Sequence, residues 1–173
     1  MGELMVRSQF CRSQAERALK ECGISEPPVP VDVVVQRHGF RLVPRNSWDQ
    51  SGGRDARILP ARGIIEHNAN GRWPWVRFSI AHELGHYVLK HGVDTFPCTS
   101  QEDTECDIPD PDQLMHREAE LFAAHLLMPR RWLTEDVKRG LSPKALEERY
   151  EVSKSALWIA FSQYRLLRLI KPN

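Results

Sequence analysis

The stretch His82-Glu83-Leu84-Gly85-His86 places two imidazoles and one carboxylate within five consecutive residues. On a helix, residues four apart lie on the same face, so His82 and His86 can bind one metal ion. Glu83 lies on the adjoining face, where it can take a proton from a water at the metal. This pattern is typical of zinc hydrolases. We therefore predict His82 and His86 as metal ligands and Glu83 as the catalytic base. The alternative is a surface helix with two unrelated histidines.

The surrounding sequence predicts where this helix begins and ends, and it predicts the elements on either side. Ser79 is the expected N-cap and Gly92 the expected stop. Residues 31–38 suit a short helix, although Val33, Val34 and Val35 also suit a strand. Strands are expected at 40–43 and 63–67, and Pro44 is expected to end the first of them. Further helices are expected at 8–22, 113–128, 132–139, 143–150 and 153–169.

Composition limits the class of protein. The chain has 173 residues, 41% of them hydrophobic and 27% charged, with a formal net charge of +1. These values suit a globular protein of about one domain, with no strong charge to attract nucleic acid or a membrane. The sequence shows no secretion signal and no long apolar run, so we expect a cytoplasmic protein. The cysteines are then expected to be free thiols, at Cys11, Cys22, Cys98 and Cys106.

A third metal ligand is expected from the helix that follows an acidic loop at 102–112. We favour a solvated loop there over a mobile acidic lid near the metal. A catalytic zinc usually has three protein ligands and an open position. The helix offers four candidates, which are His116, Glu118, Glu120 and His125.

Helical phase ranks these candidates. At about 100° per residue, His116 and Glu120 share a sector with Ala119 and Ala123, whose small side chains would allow close approach to the first helix. We therefore predict His116 as the third ligand and Glu120 as a partner for the free N–H of a metal-bound histidine. Glu118 and His125 fall near the opposite side, where exposure to solvent is expected. Glu118 remains the alternative metal ligand, and it would require a different rotation of the helix.

Two blocks of this sequence resemble the ImmA/IrrE metallopeptidases. The first runs from Val76 to His86, and the second, with Glu118-Ala119-Glu120, a Phe-Ala-Ala triplet and Leu-Leu-Met-Pro, runs to Pro129. The resemblance extends from about residue 15 to residue 169 and is specific in these two blocks. His116 departs from the family pattern, because a glutamate usually stands at that place. If the family geometry holds, His116 replaces the usual glutamate ligand.

The resemblance implies a compact, mainly helical α+β domain of the zincin type with a small β-sheet. It also implies a zinc-dependent endopeptidase that cleaves a regulatory protein, such as a transcriptional repressor or an antitoxin. We divide the chain into a metallopeptidase domain at 1–140 and a C-terminal helix pair at 141–173, packed on the same domain. Zinc is the expected cofactor, with manganese left open, and neither a membrane nor direct nucleic-acid binding is expected.

The helix pair at the C-terminus has the outline of a helix-turn-helix, with Val152 in the turn and Ser153 as cap. We favour a packing role, because Lys154, Ser155 and Trp158 are a sparse set of base-reading side chains. Two alternatives to the enzyme remain. One is a DNA-binding regulator with a structural zinc site, and the other is a redox or metal sensor that uses Cys98 and Cys106.

Overall fold

The computed structural model describes residues 6–49, 54–91 and 111–169. Within these ranges the chain forms seven α-helices and three strands, which confirms a mainly helical α+β fold. In chain order these are α1 (Ser8–Glu21), α2 (Val31–Arg37), β1 (Arg41–Arg45), β2 (Ala56–Leu59), β3 (Ile64–Asn68), α3 (Trp73–Val88), α4 (Pro111–Leu127), α5 (Arg130–Lys138), α6 (Pro143–Tyr150) and α7 (Lys154–Gln163). Single 3-10 turns lie at Pro60–Arg62 and Leu167–Leu169.

The three strands form one sheet in the order β1-β3-β2. β1 is parallel to β3, with Arg41 opposite Ile64, and β2 is antiparallel to β3, with Leu59 opposite Ile64. Strand β3 is therefore the central strand, and four of its five residues are buried. The predicted sheet is confirmed, but β2 was not predicted.

The sequence predicted that Pro44 would end β1. In the structure Pro44 instead lies within the strand, opposite His67. Proline lacks a backbone N–H, and β1 is an edge strand of the described sheet, where one side of the strand needs no donor. The valine-rich segment is a helix, α2, whose inward residues Val31, Val34 and Val35 are buried. Helical spacing of buried positions thus overrides the strand preference of valine.

Helix α3 begins earlier than predicted. Its N-cap is Arg72 and Pro74 lies in the first turn, so Ser79 is an internal residue rather than the cap. Proline suits this position, because the first turn of a helix has free N–H groups anyway. The helix ends at Val88, and Gly92, the predicted stop, lies outside the described residues. The acidic loop at 102–112 also falls almost entirely outside them.

Helix α4 lies between α3 and α1 and packs closely against both. Gly85 of α3 faces Ala119 of α4, and a Cβ at Gly85 would lie 3.2 Å from the Cα of Ala119. The close approach predicted from the small residues of α4 is therefore present. It brings the second half of α3 next to the first half of α4.

The C-terminal helices pack on the same hydrophobic core as the rest of the chain. Leu146, Tyr150, Leu157 and Phe161 are buried in one cluster with residues of α1, α3 and α4. The turn between α6 and α7 contains no glycine, and Glu151 adopts the left-handed conformation there, with φ 49°. Ser153 caps α7 as predicted, accepting a hydrogen bond from the N–H of Ala156 at 3.2 Å. Across the described ranges, we find no helix with the length and apolar character that a membrane span requires.

Candidate metal centre

The second half of helix α3 carries three buried polar side chains. His82, Glu83 and His86 have relative exposures of 7, 8 and 9%. The helical repeat places the two histidines one turn apart, and their Nε2 atoms are 3.0 Å apart. Burial of three ionisable groups is costly unless they bind a ligand or each other. This cost indicates a functional role for the site.

His116 completes the cluster from α4. Its Nδ1 lies 3.2 Å from the Nε2 of His86, and one ligand atom from each of the three histidines lies within 4.8 Å of the others. Zinc bound tetrahedrally, with Zn–N bonds of about 2.0–2.1 Å, separates its nitrogen ligands by about 3.3 Å. The separations of 3.0 and 3.2 Å from Nε2 of His86 to His82 and His116 are close to that value, and all three ligand atoms lie within 4.8 Å of one another. The structure thus brings together the three residues that the sequence predicted as metal ligands.

The histidines of the cluster are held neutral, which is the form that binds metals. Burial lowers the pKa of His82 well below its ordinary value, and the neighbouring His86 lowers it further. Burial and His116 together lower the pKa of His86 to about 3. The pKa of His116 is also lowered, by burial and then by Arg54. Each imidazole is therefore neutral at neutral pH and carries one nitrogen lone pair, so the donor set fits a divalent metal ion.

Glu83 is held beside the cluster by the edge of the sheet. Its Oε2 accepts a hydrogen bond from the backbone N–H of Ile58 in β2 at 3.1 Å, and its Oε1 lies 3.5 Å from Arg54. Burial raises the pKa of Glu83, while the bond from Ile58 and the charge of Arg54 oppose that shift. A buried carboxylate with a raised pKa suits a group that accepts and then releases a proton.

Arg54 is a site residue that the sequence did not reveal. Its NH2 group lies 3.0 Å from Nδ1 and 3.2 Å from Nε2 of His116, and its NH1 group faces Glu83. Arg54 lies two residues before the start of β2, outside the helices and strands predicted from the sequence. No periodicity or motif singled it out. Its position depends on the pairing of β2 with β3, which only the fold reveals.

The expectation that Glu118 and His125 face solvent was wrong, because their relative exposures are 4% and 8%. Helical phase relative to α3 alone places these residues on the outer side of α4, but α1 covers that side of the helix. The Glu118 carboxylate contacts Arg7 and His91 rather than the histidine cluster. Its oxygens are therefore engaged away from the position where a metal would bind.

Glu120, predicted as the partner of a metal-bound histidine, is an exposed residue of α4. Desolvation of its carboxyl raises its pKa, and the charges of Arg54 and Arg117 oppose the shift. Among the described residues, no hydrogen bond joins Glu120 to His82, His86 or His116. The second ring nitrogen of His86 instead lies 3.1 Å from Nδ1 of His91.

The fold and the site together define a small α+β protein with a candidate metal centre of the His-Glu-x-x-His kind, completed by a histidine from a second helix. A peptidase family model described as the IrrE N-terminal-like domain matches residues 35–162. The match covers most of the chain, which therefore belongs to the ImmA/IrrE family. The matched segment includes the two histidines of α3, His116 and the C-terminal helix pair through most of α7.

A solved structure of a Mycobacterium tuberculosis transcriptional regulator is similar, with a TM-score of 0.64 and 17% sequence identity. The match covers 91% of this chain and 46% of the regulator, so the chain spans about half the length of that protein. At this identity the likeness shows the fold alone. No curated protein matches the sequence at a significant level.

Proposed function

We propose that this protein is a zinc-dependent endopeptidase that cleaves a regulatory protein, a transcriptional repressor or an antitoxin. The observation that carries the proposal is the convergence of three neutral imidazoles beside a buried carboxylate. Membership of a peptidase family supports it. The proposal includes a cytoplasmic location, where such regulatory proteins act.

In this proposal His82, His86 and His116 hold the metal. A zinc ion bound there supplies a Lewis acid that polarises the scissile carbonyl and acidifies water. Glu83 accepts the proton of the attacking water and passes it to the amine of the leaving product. Arg54 lies beside both Glu83 and His116, so it can donate a hydrogen bond to the carbonyl oxygen as negative charge develops there.

A groove next to the site supports the proposal that the substrate is a peptide chain. It has a volume of about 370 Å³ and is lined by Arg54, Asp55, Asn68, Asn70, Gly71, Arg72 and Trp75. Trp75 is 47% exposed, which leaves its ring free to contact a substrate side chain. Backbone amides of a peptide can pair with the polar groups of the lining. Because Arg54 belongs both to the groove and to the site, a bound chain would pass the metal.

The experiment begins with zinc per chain, measured by elemental analysis on the wild type, His116→Ala and Glu83→Gln. We expect one zinc in the wild type and in Glu83→Gln, and a large loss in His116→Ala. Parallel loading with manganese and competition between the two metals would identify the preferred one. Full zinc in His116→Ala would contradict the three-histidine site.

Cleavage is then tested by a comparison that does not require an identified substrate. New protein N-termini are compared by mass spectrometry between cells that produce the wild type and cells that produce Glu83→Gln. We expect a small set of N-termini that depends on Glu83, with a repressor or antitoxin among the cleaved proteins. Identical sets from two proteins that both hold zinc would contradict peptidase activity and favour a structural metal.

The helix pair α6–α7 supports a second candidate, a DNA-binding regulator with a structural zinc site. Lys154, Ser155 and Trp158 are exposed on α7, as this candidate requires. Fluorescence anisotropy with duplex DNA at increasing salt tests it, because binding through phosphate contacts weakens steeply with salt. We expect no salt-dependent binding.

A further inference from the structure

A chain of hydrogen-bonding groups connects His86 with the start of α1. Nδ1 of His86 lies 3.1 Å from Nδ1 of His91, and Nε2 of His91 lies 2.9 Å from Oε2 of Glu118. The Glu118 carboxylate accepts hydrogen bonds from the backbone N–H of Arg7 at 2.7 Å and from its guanidinium NH2 at 2.6 Å. The contact with His91 uses Nδ1 of His86, whereas Nε2 of His86 faces His82 and His116.

The positions of the protons along this chain follow from the bonding partners. The Glu118 carboxylate accepts hydrogen bonds from the backbone N–H and the guanidinium of Arg7, and a carboxylate only accepts. Nε2 of His91 must then carry a proton. Nε2 then donates to Oε2 of Glu118, and in a neutral imidazole the other nitrogen, Nδ1, accepts. Nδ1 of His86 is the donor, which leaves the lone pair of Nε2 facing His82 and His116.

The opposite tautomer has a poorer set of contacts. It would require Nε2 of His91 to accept from the NH2 group of Arg7, which lies at the longer distance of 3.4 Å. The lone pair of that nitrogen would then face the Glu118 carboxylate at 2.9 Å. Nε2 of His86 would carry a proton and could not bind a metal. The observed distances therefore favour the tautomer that presents His86 to the metal.

We infer that Arg7, Glu118 and His91 are positioning residues that hold His86 in its metal-binding tautomer, so that the N-terminal segment helps to set the metal affinity of the centre. This inference rests on the metal of the proposed function. Arg7 immediately precedes α1, its side chain is about half exposed, and its partner Glu118 is buried. The Arg7 end of this series of hydrogen bonds is thus open to solvent, and the His91 end contacts the proposed metal ligand His86.

The backbone at the end of α3 explains how His91 reaches His86. The N–H of His91 donates to the carbonyl of His86 at 2.9 Å, and the N–H of Lys90 donates to the carbonyl of Tyr87. Lys90 adopts the left-handed conformation, with φ 58°. These features form a Schellman turn, which folds the chain back over the last turn of the helix. The His91 ring is thereby held against the ring of His86.

Metal affinity provides the first test. The zinc dissociation constants of His91→Phe, Glu118→Gln and Arg7→Ala are measured by competition with a chromogenic chelator. We expect zinc binding about 10–100-fold weaker for His91→Phe and Glu118→Gln, as for other partners of metal ligands. Arg7→Ala keeps the backbone donor and should have a smaller effect, and Arg7→Lys should recover part of it.

The matched control is Arg12→Ala, on the same helix, where Arg12 pairs with Glu16 on the exposed surface. Its zinc affinity should equal that of the wild type. Urea unfolding of each metal-free variant separates positioning from folding. Variants that lose stability but keep the wild-type zinc affinity would show a merely structural role and overturn the inference.

The tautomer of His86 can be observed without metal, by long-range ¹H–¹⁵N NMR on the labelled metal-free protein. We expect the proton on Nδ1 in the wild type and a mixture of tautomers in Glu118→Gln. A wild-type proton on Nε2 would overturn the inference whatever the metal affinity. If the wild type has the proton on Nδ1 of His86 but binds no metal, the series of hydrogen bonds is upheld. Only the proposed function is then rejected.

Discussion

Gly85 is the residue that sets the distance between α3 and α4, the two helices that carry the candidate metal ligands. A Cβ at this position would lie 3.0 Å from Cδ1 of Phe122 and 3.2 Å from both the Cα and the carbonyl oxygen of Ala119. The backbone atoms of Ala119 cannot move away unless α4 itself moves. A side chain at position 85 would therefore push the helices apart and shift His116 away from His82 and His86.

We expect Gly85→Ala to lower both stability and metal affinity. Alanine gains about 1 kcal/mol of helix propensity over glycine, but overpacking a core costs about 1–3 kcal/mol. The net loss should be about 1 kcal/mol, measured by urea unfolding of the metal-free protein. Ser79→Ala, on the same helix and without added volume, serves as the control for the zinc affinity. Unchanged zinc binding in Gly85→Ala would show that the spacing of α3 and α4 is not critical.

The three histidines and the carboxylate of the candidate site could be predicted from the sequence because each depends on helical geometry. The spacing of His82 and His86, and the shared sector of His116 with Ala119, are properties of single helices. Arg54 and His91 could not be placed in this way, because a sheet edge and a chain reversal bring them to the site. Glu118 was misplaced for a related reason, since phase does not show how many neighbours cover a helix.

His125 lies outside the metal centre and makes the fold sensitive to acid. Its Nδ1 is 2.9 Å from the hydroxyl of Tyr164, which donates to the carbonyl of Met128. Burial lowers the pKa of His125 from 6.5 to about 4. As pH falls below about 6.5, the unfolded chain takes up a proton at this residue while the folded chain does not. The resulting loss of stability grows until the pH reaches about 4.

At pH 5 this one residue should remove about 2 kcal/mol of stability relative to pH 7. His125→Phe keeps an aromatic ring against Tyr164 and leaves the Tyr164–Met128 hydrogen bond in place. We expect the stability of the metal-free variant to fall less between pH 7 and pH 5, by about that amount. Urea unfolding at the two pH values measures the difference. Equal losses in both proteins would show that His125 is protonated in the fold.

At the scale of elements, the accuracy of the predicted bounds differs between helices: α6 matches its prediction at 143–150, whereas α7 ends at Gln163 rather than at residue 169. Helix α1 agrees with its prediction within one residue, whereas α3 begins six residues before the predicted cap at Ser79. Nothing in the sequence marks Arg72 as a cap, and its side chain makes no capping hydrogen bond. Strand β2 was missed because it is only four residues long, and its identity depends on pairing with β3.

The end of α3 offers a test of the Schellman turn. Lys90 lies in the left-handed region, which costs a residue with a Cβ about 1–2 kcal/mol. Glycine removes that cost but adds entropy to the unfolded chain, which offsets part of the gain. We expect Lys90→Gly to stabilise the protein by about 0.5–1 kcal/mol and to leave zinc affinity unchanged, since the turn keeps the same hydrogen bonds.

Arg139→Gly is the matched control for this prediction. Arg139 is the C-cap of α5 in the right-handed conformation, so glycine relieves no strain there and should not stabilise the protein. Both variants are compared with the wild type by urea unfolding. A loss of stability in Lys90→Gly would indicate that the lysine side chain contributes more than its backbone strain costs.

At the scale of the whole molecule, Arg77 connects parts of the chain that are far apart in sequence. It is 1% exposed, and its guanidinium donates to the carbonyls of Val29 and Tyr150 at 2.6 and 3.1 Å. It also forms an ion pair with Glu151 at 2.8 Å. Burial lowers the pKa of Arg77, and the charge of Glu151 opposes this shift. One side chain thus joins α3, the segment before α2 and the turn between α6 and α7.

Removing this connection tests whether the helix pair at 141–173 unfolds together with residues 1–140. Arg77→Met leaves the carbonyls of Val29 and Tyr150 without a partner and should cost about 3 kcal/mol. If the chain is one cooperative unit, hydrogen exchange measured by mass spectrometry should accelerate equally in α3, α4 and α7. Arg131→Met, at an exposed ion pair with Glu135, should change stability by less than about 0.5 kcal/mol. Faster exchange confined to α6 and α7 would instead show that the helix pair opens separately, and the metal centre would then be independent of it.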